Sequence, residues 1–456
     1  GQVPVRFLGR LNHGYGNPVA NFLYPGFLYI GSVIHALGFS FVDSVKIILA
    51  GSVMGSSVLA FLWLRVYFSS FAGLFGALSF LFAPYLVFDL YTRGSVGEIF
   101  ALLPATASFY AIASKKYWLL APAAALLIVG HNSLALLFFP YIILYLLSQR
   151  QPYRLWHLVL SLGMAAFFWI PAIVERQYVQ FDLVSVSKFS EYFLKGGDLI
   201  LLGPLFLLGF VGLFLKKQVP EVGRLHAGVF TCASFMALSM SAVVWNILPI
   251  APIVQFPYRF LAVALVAGSY LVAALVDRRP LRFQLGFLVV AVFVWLVTVV
   301  PRVVSVPRVD RENGYYTTNE ATTTVADEYM PRGVRVKPTQ RTLSKLSIVK
   351  GLGAATLTRL STRRLEAHVT LQTYSTIQLS LIYYPGWGVL VDDVPVPIRY
   401  ANERGLVEFD VPEGSHRIVA AFRETPLRLL ADALSVASAI GYVAWLVISR
   451  KKKTLA

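Results

Sequence analysis

Long apolar segments alternate with short polar loops through the first 301 residues. They fall at about 45–64, 71–90, 97–113, 156–174, 197–215, 226–245, 256–277 and 283–301, and another follows at about 428–449. A helix of about 20 apolar residues matches a hydrocarbon core of roughly 30 Å. The pattern predicts a polytopic α-helical membrane protein.

Two apolar segments have lengths that do not suit a single crossing. Leu23 to Phe39 is short and is broken by Pro25, so it predicts a helix on the outer membrane surface. Tyr117 to Leu147 is too short for two full spans and too long for one. It predicts two short helices with Gly130-His-Asn-Ser133 at their outer tip. The total is about 11 spans, and a chain that starts outside would carry one more span before residue 1.

Composition agrees with a membrane protein. The chain is 57% hydrophobic and 14% charged, and its mean hydropathy is +0.66. These values lie outside the usual range of soluble domains. Cys232 is the single cysteine, so an intramolecular disulfide is excluded, and its apolar surroundings favour a packing role.

The positive charge is concentrated in short loops. Lys and Arg number 40 against 23 Asp and Glu, and the loops at 65, 115–116, 150–154, 216–224, 278–282 and 450–453 hold many of them beside only Glu221 and Asp277. Such loops mark the cytoplasmic side. The basic excess therefore orients the chain in its bilayer and does not indicate a nucleic acid partner.

The pattern changes after residue 301. Residues 302–427 mix basic and acidic side chains, and apolar residues alternate with period two from about Leu343. We predict a helical domain over 1–301 with an outer first loop at 1–44, then an extracytoplasmic β-sandwich-like domain over 302–427. Residues 428–456 form the last transmembrane helix and a basic cytoplasmic tail.

Polar residues gather in the segments predicted to lie on the outer face. They form four groups: His13, Tyr15, Asn17 and Asn21; Arg93 and Glu98; His131 and Asn132; and Gln255, Tyr258 and Arg259. An ionisable residue at membrane depth is costly and usually functional. Arginine suits phosphate oxygens, and a carboxylate can accept a proton or bind a divalent metal such as Mg or Mn. We predict that Arg93, Glu98 and His131 are catalytic and that the other residues bind substrate.

Each of these groups also has a structural interpretation. Arg93 and Glu98 could neutralise each other at a helix end. His131 with Asn132 could cap the following helix, since Asn is a favoured cap residue. Arg259 could extend its charge to the membrane interface beside Tyr258.

Other polar motifs favour structural roles. Asp392-Asp393 stands between two short β-patterned runs and predicts a hairpin turn. His416, after Gly414, falls at a strand start, and no partner for it is evident. The sequence contains no P-loop, GxSxG or HExxH motif, which argues against ATP hydrolysis and soluble-type hydrolysis.

Several motifs together resemble a known family. They are Gly14 to Pro25, Asp89 to Glu98, Gly130-His-Asn132, Leu248 to Phe260, Asp327 to Pro331, Tyr383 to Trp387 and Pro412 to His416. In this order they resemble the YfhO-type bacterial membrane proteins, also described as 6-pyruvoyl-tetrahydropterin synthase-related, of the GT-C glycosyltransferase group.

The resemblance implies an enzyme of the bacterial plasma membrane. Such an enzyme transfers a sugar from a polyprenyl phosphate to an envelope glycan, lipid or protein. The family resemblance also implies an acidic residue in the first outer loop, but here Asp43 is the acid that precedes Val45. The catalytic acid would then lie before residue 1, or the chain would not be a competent transferase. The alternatives are a non-catalytic subunit of a membrane complex and a lipid or glycan transporter.

Overall fold

The computed structural model describes residues 2–182, 189–214, 220–248, 251–307, 309, 311–318, 321 and 327–454. Some residues used in the predictions above lie outside these ranges, namely Lys216, Lys217, Pro249 and Ile250. The side chains from Arg450 to Lys453 are also outside the described part.

The chain packs into two compact units, each assembled from several segments. The helical unit contains Tyr24–Ala165, Val186–Asn313 and Val436–Ala456. The sheet unit contains Gly1–Leu23, Ala166–Ser185 and Gly314–Ser435. The sheet unit therefore includes two segments that precede residue 302, where the sequence pattern places the start of the β domain.

The α-helices are, in chain order, α1 Gly26–Ala36, α2 Phe41–Leu64, α3 Ser70–Leu81, α4 Pro84–Val87, α5 Val96–Ala113, α6 Leu120–Gly130, α7 Asn132–Ser148, α8 Trp156–Met164, α9 Ala166–Val174, α10 Pro204–Phe214, α11 Glu221–Met236, α12 Ala242–Ile247, α13 Ala251–Val254, α14 Phe260–Val276, α15 Leu281–Thr298, α16 Val300–Val304, α17 Asn313–Thr318 and α18 Pro426–Thr454.

Many of these helices could cross a membrane. In the described part of the chain, six stretches are long and apolar enough: Phe41–Leu64, Ser70–Arg93, Val96–Ala113, Pro257–Val276, Leu281–Val304 and Pro426–Ser449. The number rises to eight if two bent pairs each form one span, Pro152–Met164 with Ala166–Tyr178 and Gly196–Leu202 with Pro204–Leu213. Several membrane-length helices are thus present, and the count of about 11 spans stays a prediction.

Helix α15 shows why these helices need a lipid environment. Val289, Phe293 and Leu296 on it are 70%, 65% and 57% exposed. Apolar side chains this exposed are unfavourable in water, whereas hydrocarbon solvates them, and all backbone groups of a helix are paired internally. The exposed face of α15 therefore fits a bilayer.

The two short helices predicted between Tyr117 and Leu147 are present as α6 and α7. His131 separates them because its backbone is extended, with φ −166° and ψ 115°. Its ring nitrogen Nδ1 accepts a hydrogen bond from the Leu134 N–H at 3.2 Å. This bond satisfies one of the free donors at the start of α7.

The apolar segment at 226–245 is not one continuous helix, and its crossing of the membrane stays a prediction. Helix α11 ends at Met236, and a break precedes α12. The Met236 carbonyl accepts hydrogen bonds from the Ser241 hydroxyl at 3.1 Å and from Trp245 Nε1 at 3.1 Å. These side-chain donors occupy the Met236 carbonyl, which a further helical turn would use for a backbone hydrogen bond. This competition ends the helix.

Helix α2 begins four residues earlier than the predicted span at 45. Ser40 accepts from the Asp43 N–H at 3.0 Å, and its hydroxyl donates to the Asp43 carboxylate at 2.7 Å. This reciprocal cap stabilises the start of the helix. Asp43, the first acidic residue of the sequence, therefore has a structural role in this helix cap.

The sheet unit contains two antiparallel sheets. The strands are β1 Leu346–Lys350, β2 Gly353–Leu360, β3 Arg364–Leu371, β4 Ser375–Ile382, β5 Trp387–Val391, β6 Val394–Val396, β7 Leu406–Val411 and β8 Gly414–Phe422. One sheet has the order β1-β4-β7 and the other β2-β3-β8-β5-β6.

One buried core joins the two sheets. Ile377 and Phe409 come from the three-stranded sheet, and Val369 and Ile418 come from the five-stranded sheet. Strand β3 alternates buried and less buried positions, as a sheet with one inward face requires. The predicted C-terminal sheet domain is confirmed, with its first strand at Leu346.

The predicted hairpin turn at Asp392-Asp393 is also confirmed. Both residues have positive φ, 48° and 64°, and they connect β5 to β6. Asp is among the residues that tolerate this conformation in a two-residue hairpin. The structure also supplies the partner that the sequence did not reveal for His416, because its Nδ1 lies 2.7 Å from Asp392 Oδ2.

Candidate functional site

Glu98 is the centre of a buried ionic cluster in the helical unit. It lies in the first turn of α5 and its side chain is 1% exposed. One carboxylate oxygen, Oε2, is 2.7 Å from Arg93 Nη1, and the other, Oε1, is 2.8 Å from Arg259 Nε. The Tyr85 hydroxyl donates to Oε2 at 3.4 Å. Burial of a carboxylate is costly unless it is paired, and both oxygens are paired here.

Arg93 ends a single π-helical turn, Phe88–Arg93, which follows α4. The next residue, Gly94, has φ 62°, a conformation that glycine adopts at low cost and that ends the helix. Within the turn, Arg93 Nη1 is 2.5 Å from Asp89 Oδ1. π-Helical turns occur frequently at functional sites.

Arg259 is held on several sides. It ends a short 3₁₀ turn, Pro257–Arg259, immediately before α14. Its Nη1 donates to the Val254 carbonyl at 2.7 Å and to Gln255 Oε1 at 3.0 Å. The guanidinium lies 4.7 Å from the centre of the Phe256 ring. Arg259 is 7% exposed, so it points into the cluster and does not extend to the interface.

His131 both caps α7 and faces Glu98. Its Nε2 lies 3.8 Å from Glu98 Oε1, and its ring centre is 4.5 Å from that of Tyr24. The capping interpretation is confirmed, with His131 as the cap in place of Asn132. Asn132 is exposed, and its side-chain oxygen accepts from the Ser133 N–H at 2.8 Å.

Close backbone packing brings these segments together. A Cβ on Gly97 would meet the Tyr24 ring at 2.1 Å, and a Cβ on Gly26 would meet the Val129 carbonyl oxygen at 2.8 Å. Only glycine permits contacts this close. Gly97 therefore lets α5 approach Tyr24, and Gly26 lets α1 approach the end of α6 that precedes His131.

The formal charges of the cluster cancel. Asp89 and Glu98 supply two carboxylates, and Arg93 and Arg259 supply two guanidinium groups. Arg93 is the more accessible of the two cations, since 14% of its side chain is exposed against 9% for Arg259. Its guanidinium also lies 4.8 Å from the centre of the Tyr258 ring. Arg93 is therefore the cation of this cluster with the larger accessible surface.

The arrangement does not favour a metal at Glu98. Both carboxylate oxygens already contact arginine, and hard cations need several free oxygen ligands. Among the residues that the structure describes, no group of three or more His, Cys, Asp or Glu could hold a metal ion. Mg or Mn as a cofactor stays a prediction from sequence.

The opening-loop residues belong to the sheet unit, and their local contacts differ from those of Arg93. The Asn21 amide donates to Glu175 Oε2 at 2.7 Å and to the Tyr384 hydroxyl at 3.1 Å. Asn17 Oδ1 accepts from the Val19 N–H at 2.8 Å. Both asparagines are buried, so their contacts stabilise the unit itself.

Tyr15 and His13 have different surroundings. Tyr15 is buried in a small apolar cluster with Met330 and Ile382. His13 is half-buried with φ 56° and lines a surface depression. The convergence of all four polar groups on one outer face stays a prediction.

The sheet unit contains a second set of buried charges that the sequence analysis missed. Arg428 Nη2 is 2.9 Å from Glu175 Oε2, and Tyr384 donates to the same oxygen at 2.8 Å. Arg6 Nη2 is 2.7 Å from Asp432 Oδ1. Arg428 and Asp432 lie within the last apolar segment, so the signal that singled out Arg93 was present here as well.

Comparison with known proteins finds a weak structural likeness. No family model and no curated protein matches the chain. The chain is similar to the cryo-EM structure of arabinofuranosyltransferase AftD from Mycobacteria, at 16% identity and a TM-score of 0.47. The match covers 68% of this chain and 24% of the AftD chain. A likeness at this level carries no argument, and the YfhO-type resemblance stays a prediction.

The fold and the site together define the class of protein. It is a helical membrane protein with a C-terminal unit of two antiparallel sheets. Its helical unit holds a charge-balanced ionic cluster in which one arginine retains an exposed edge.

Proposed function

We propose that this protein is a membrane glycosyltransferase that moves a sugar from a polyprenyl-phosphate donor to an extracytoplasmic glycan, lipid or protein. The observation that carries the proposal is the cluster of Arg93, Glu98 and Arg259 within a unit of membrane-length helices. A polyprenyl chain dissolves in the bilayer beside such helices. Its phosphate then needs a cation near the lipid, and an arginine fork suits that group.

The proposed reaction is a displacement at the anomeric carbon of the donor sugar. The acceptor oxygen forms the new glycosidic bond, and the bond from the anomeric carbon to the phosphate oxygen breaks. The electron pair stays on the departing polyprenyl phosphate, where Arg93 stabilises the developing charge. A general base takes the proton of the acceptor hydroxyl, and the family resemblance implies that this base belongs to the first outer loop.

The other members of the cluster act through Arg93. Glu98 holds Arg93 at 2.7 Å and is itself held by Arg259 at 2.8 Å. Because both Glu98 oxygens are engaged, we assign Glu98 a positioning role and do not assign it the role of base. His131 is 1% exposed and its Nε2 faces Glu98 Oε1 at 3.8 Å, so in this proposal it supports Glu98 and does not contact the donor.

The test is transfer by the purified full chain in nanodiscs, with a radiolabelled polyprenyl-phosphate sugar. Arg93→Ala should lower turnover by about 100-fold or more, because a preorganised charge at the leaving group is lost. Arg302→Ala is the matched control, since Arg302 lies at the end of an apolar helix and donates to the Thr298 carbonyl. Unchanged turnover in Arg93→Ala would refute the assignment.

A second candidate function is a non-catalytic membrane subunit. The observation that favours it is the charge balance of the cluster, because a neutral set of ion pairs can serve packing alone. Native mass spectrometry with polyprenyl phosphate separates the two candidates. An enzyme retains the lipid in the wild type and loses it in Arg93→Ala, whereas a packing cluster shows no such difference.

A further inference from the structure

Two adjoining depressions form a groove on the sheet unit. Their volumes are about 240 and 420 Å³, and they share the lining residues Arg341, Thr342 and Ser380. We call this surface the basic groove, because its lining includes Arg10, His13, Arg341, Lys345 and Arg404. The shared residues make one elongated surface from the two depressions.

The charge of the groove has one sign. No Asp or Glu is among the residues that line either depression, all of which belong to the described part of the chain. Gln378 on the wall donates to Glu408 Oε1 at 2.6 Å, and Asn402 donates to the same oxygen at 3.1 Å. Glu408 therefore interacts with amides. Cations gathered without lining carboxylates attract an anion.

Hydroxyl groups alternate with the cations. The Thr342 hydroxyl donates to Ser380 Oγ at 2.9 Å, and Ser380 donates to the Ser344 carbonyl at 2.8 Å. Ser361 and Thr362 add further hydroxyls. Hydroxyls both donate and accept, so such a lining matches the hydroxyls of a sugar chain.

Trp387 leaves a donor on the same wall. Its side chain is 7% exposed, and its Nε1 has no hydrogen-bond partner in the described part of the chain. A buried indole N–H usually finds an acceptor, and an unpaired one costs free energy.

The groove is built from two segments far apart in sequence. The opening loop is hydrogen-bonded to β4, because the Ile382 N–H donates to the Tyr15 carbonyl at 2.9 Å. Lys345 Nζ donates to the Gly14 carbonyl and joins the same loop to the chain before β1. These bonds hold Arg10 and Arg341 on one surface.

The lining favours a glycan over a nucleic acid. Binding of single-stranded nucleic acid relies on exposed aromatic faces on which bases stack. The aromatic residues of this groove, Tyr15 and Trp387, are 6% and 7% exposed. Hydroxyls, amides and cations remain, and they fit a polyhydroxylated chain that bears anionic groups.

We propose that the basic groove binds an acidic glycan, whose carboxylate or phosphate groups meet the arginines while its hydroxyls meet the Ser and Thr side chains. The proposal does not depend on the transferase reaction, because binding can be measured without a donor lipid. It adds a glycan-binding surface on the sheet unit to the site around Glu98.

The experiment is calorimetric titration of the full chain in detergent with three hexamers. Hexagalacturonate carries carboxylates, maltohexaose bearing phosphate monoesters carries phosphates, and unmodified maltohexaose is neutral. The variant is Arg10→Gln with Arg404→Gln, since both arginines are exposed and substitution at exposed positions should not disturb folding. We expect about tenfold weaker binding of the preferred acidic hexamer in this variant.

The matched control is Arg359→Gln with Arg417→Gln. Both arginines pair with Glu366. On β3, the neighbouring Leu365 points into the core, so Glu366 points to the opposite face of the sheet. The control removes the same charge from the opposite sheet face and should leave affinity unchanged. An equal loss in both variants, a maltohexaose affinity equal to that of the acidic hexamers, or no binding of either acidic hexamer would each overturn the proposal. The acidic hexamer that binds more tightly shows whether the groove prefers carboxylate or phosphate groups.

Discussion

The two buried ionic clusters differ in how accessible they leave their arginines. In the helical unit, Asp89, Arg93 and Glu98 are neighbours in sequence, and Arg93 keeps 14% of its side chain exposed. In the sheet unit, Arg428 is 0% exposed and pairs with Glu175, which is 253 positions away.

This difference separates a site from a structural link. Arg428 is 0% exposed and cannot meet a ligand, and removal of its buried partner is expected to be strongly destabilising. Burial also raises the pKa of Glu424, whose Oε2 is 3.5 Å from Arg6 Nε. The sheet-unit cluster thus buries Arg428 completely, whereas the Glu98 cluster leaves part of Arg93 accessible.

The largest expected effect comes from removing the carboxylate of the sheet-unit cluster. Glu175→Gln should lower the free energy of unfolding by about 3–5 kcal/mol, because the buried Arg428 then keeps only the Glu424 carboxylate, 4.0 Å from its Nε. Equilibrium unfolding of the full chain in mixed micelles measures this loss. Asp182→Asn is the control: Asp182 is 43% exposed and pairs with Arg332 at 3.2 Å, so it should cost less than about 1 kcal/mol. Equal losses would contradict the distinction.

A smaller effect tests the coupling inside the helical unit. A double-mutant cycle of Glu98→Gln and Arg259→Gln should give an interaction energy of about 1–3 kcal/mol, because the two side chains are in direct contact. The same unfolding assay measures it. Glu98→Gln combined with Arg302→Gln should be additive within about 0.5 kcal/mol, since those residues share no partner. Additivity in the cycle of Glu98 and Arg259 would show that these two side chains are not energetically coupled.

The smallest effect concerns an exposed pair, His416 and Asp392. The hydrogen bond to Asp392 raises the pKa of His416 above its ordinary value, and bonds from the Arg417 N–H and His416 lower the pKa of Asp392. A raised folded-state pKa adds stability that is present below the unfolded pKa of about 6.5 and is lost as pH rises through the folded value.

NMR titration of the His416 ring checks this prediction. Asp392→Asn should return the pKa of His416 toward its ordinary value, because the accepting carboxylate is lost. Asp393→Asn is the control at the next turn position. The interpretation fails if the wild-type pKa is not raised or if Asp393→Asn shifts it as strongly.

Local features were predictable from the sequence because their causes are local. Asp392-Asp393 forms a turn since aspartate tolerates positive φ, and His131 separates two helices since segment length excludes other solutions. Arg93 and Glu98 stood out because charges between apolar segments are costly. The break after Met236 was missed, since side-chain hydrogen bonds from Ser241 and Trp245 end that helix.

The sequence by itself determined the membrane-length helices, the β-patterned C-terminal region and the turn at Asp392. Tertiary structure alone decided that Arg259 meets Glu98 from 161 positions away, that Glu175 meets Arg428, and that the opening loop helps to form the basic groove. Apolar periodicity records which face of an element is buried. It does not record which distant face covers it, because that choice depends on packing and on closure of the intervening chain.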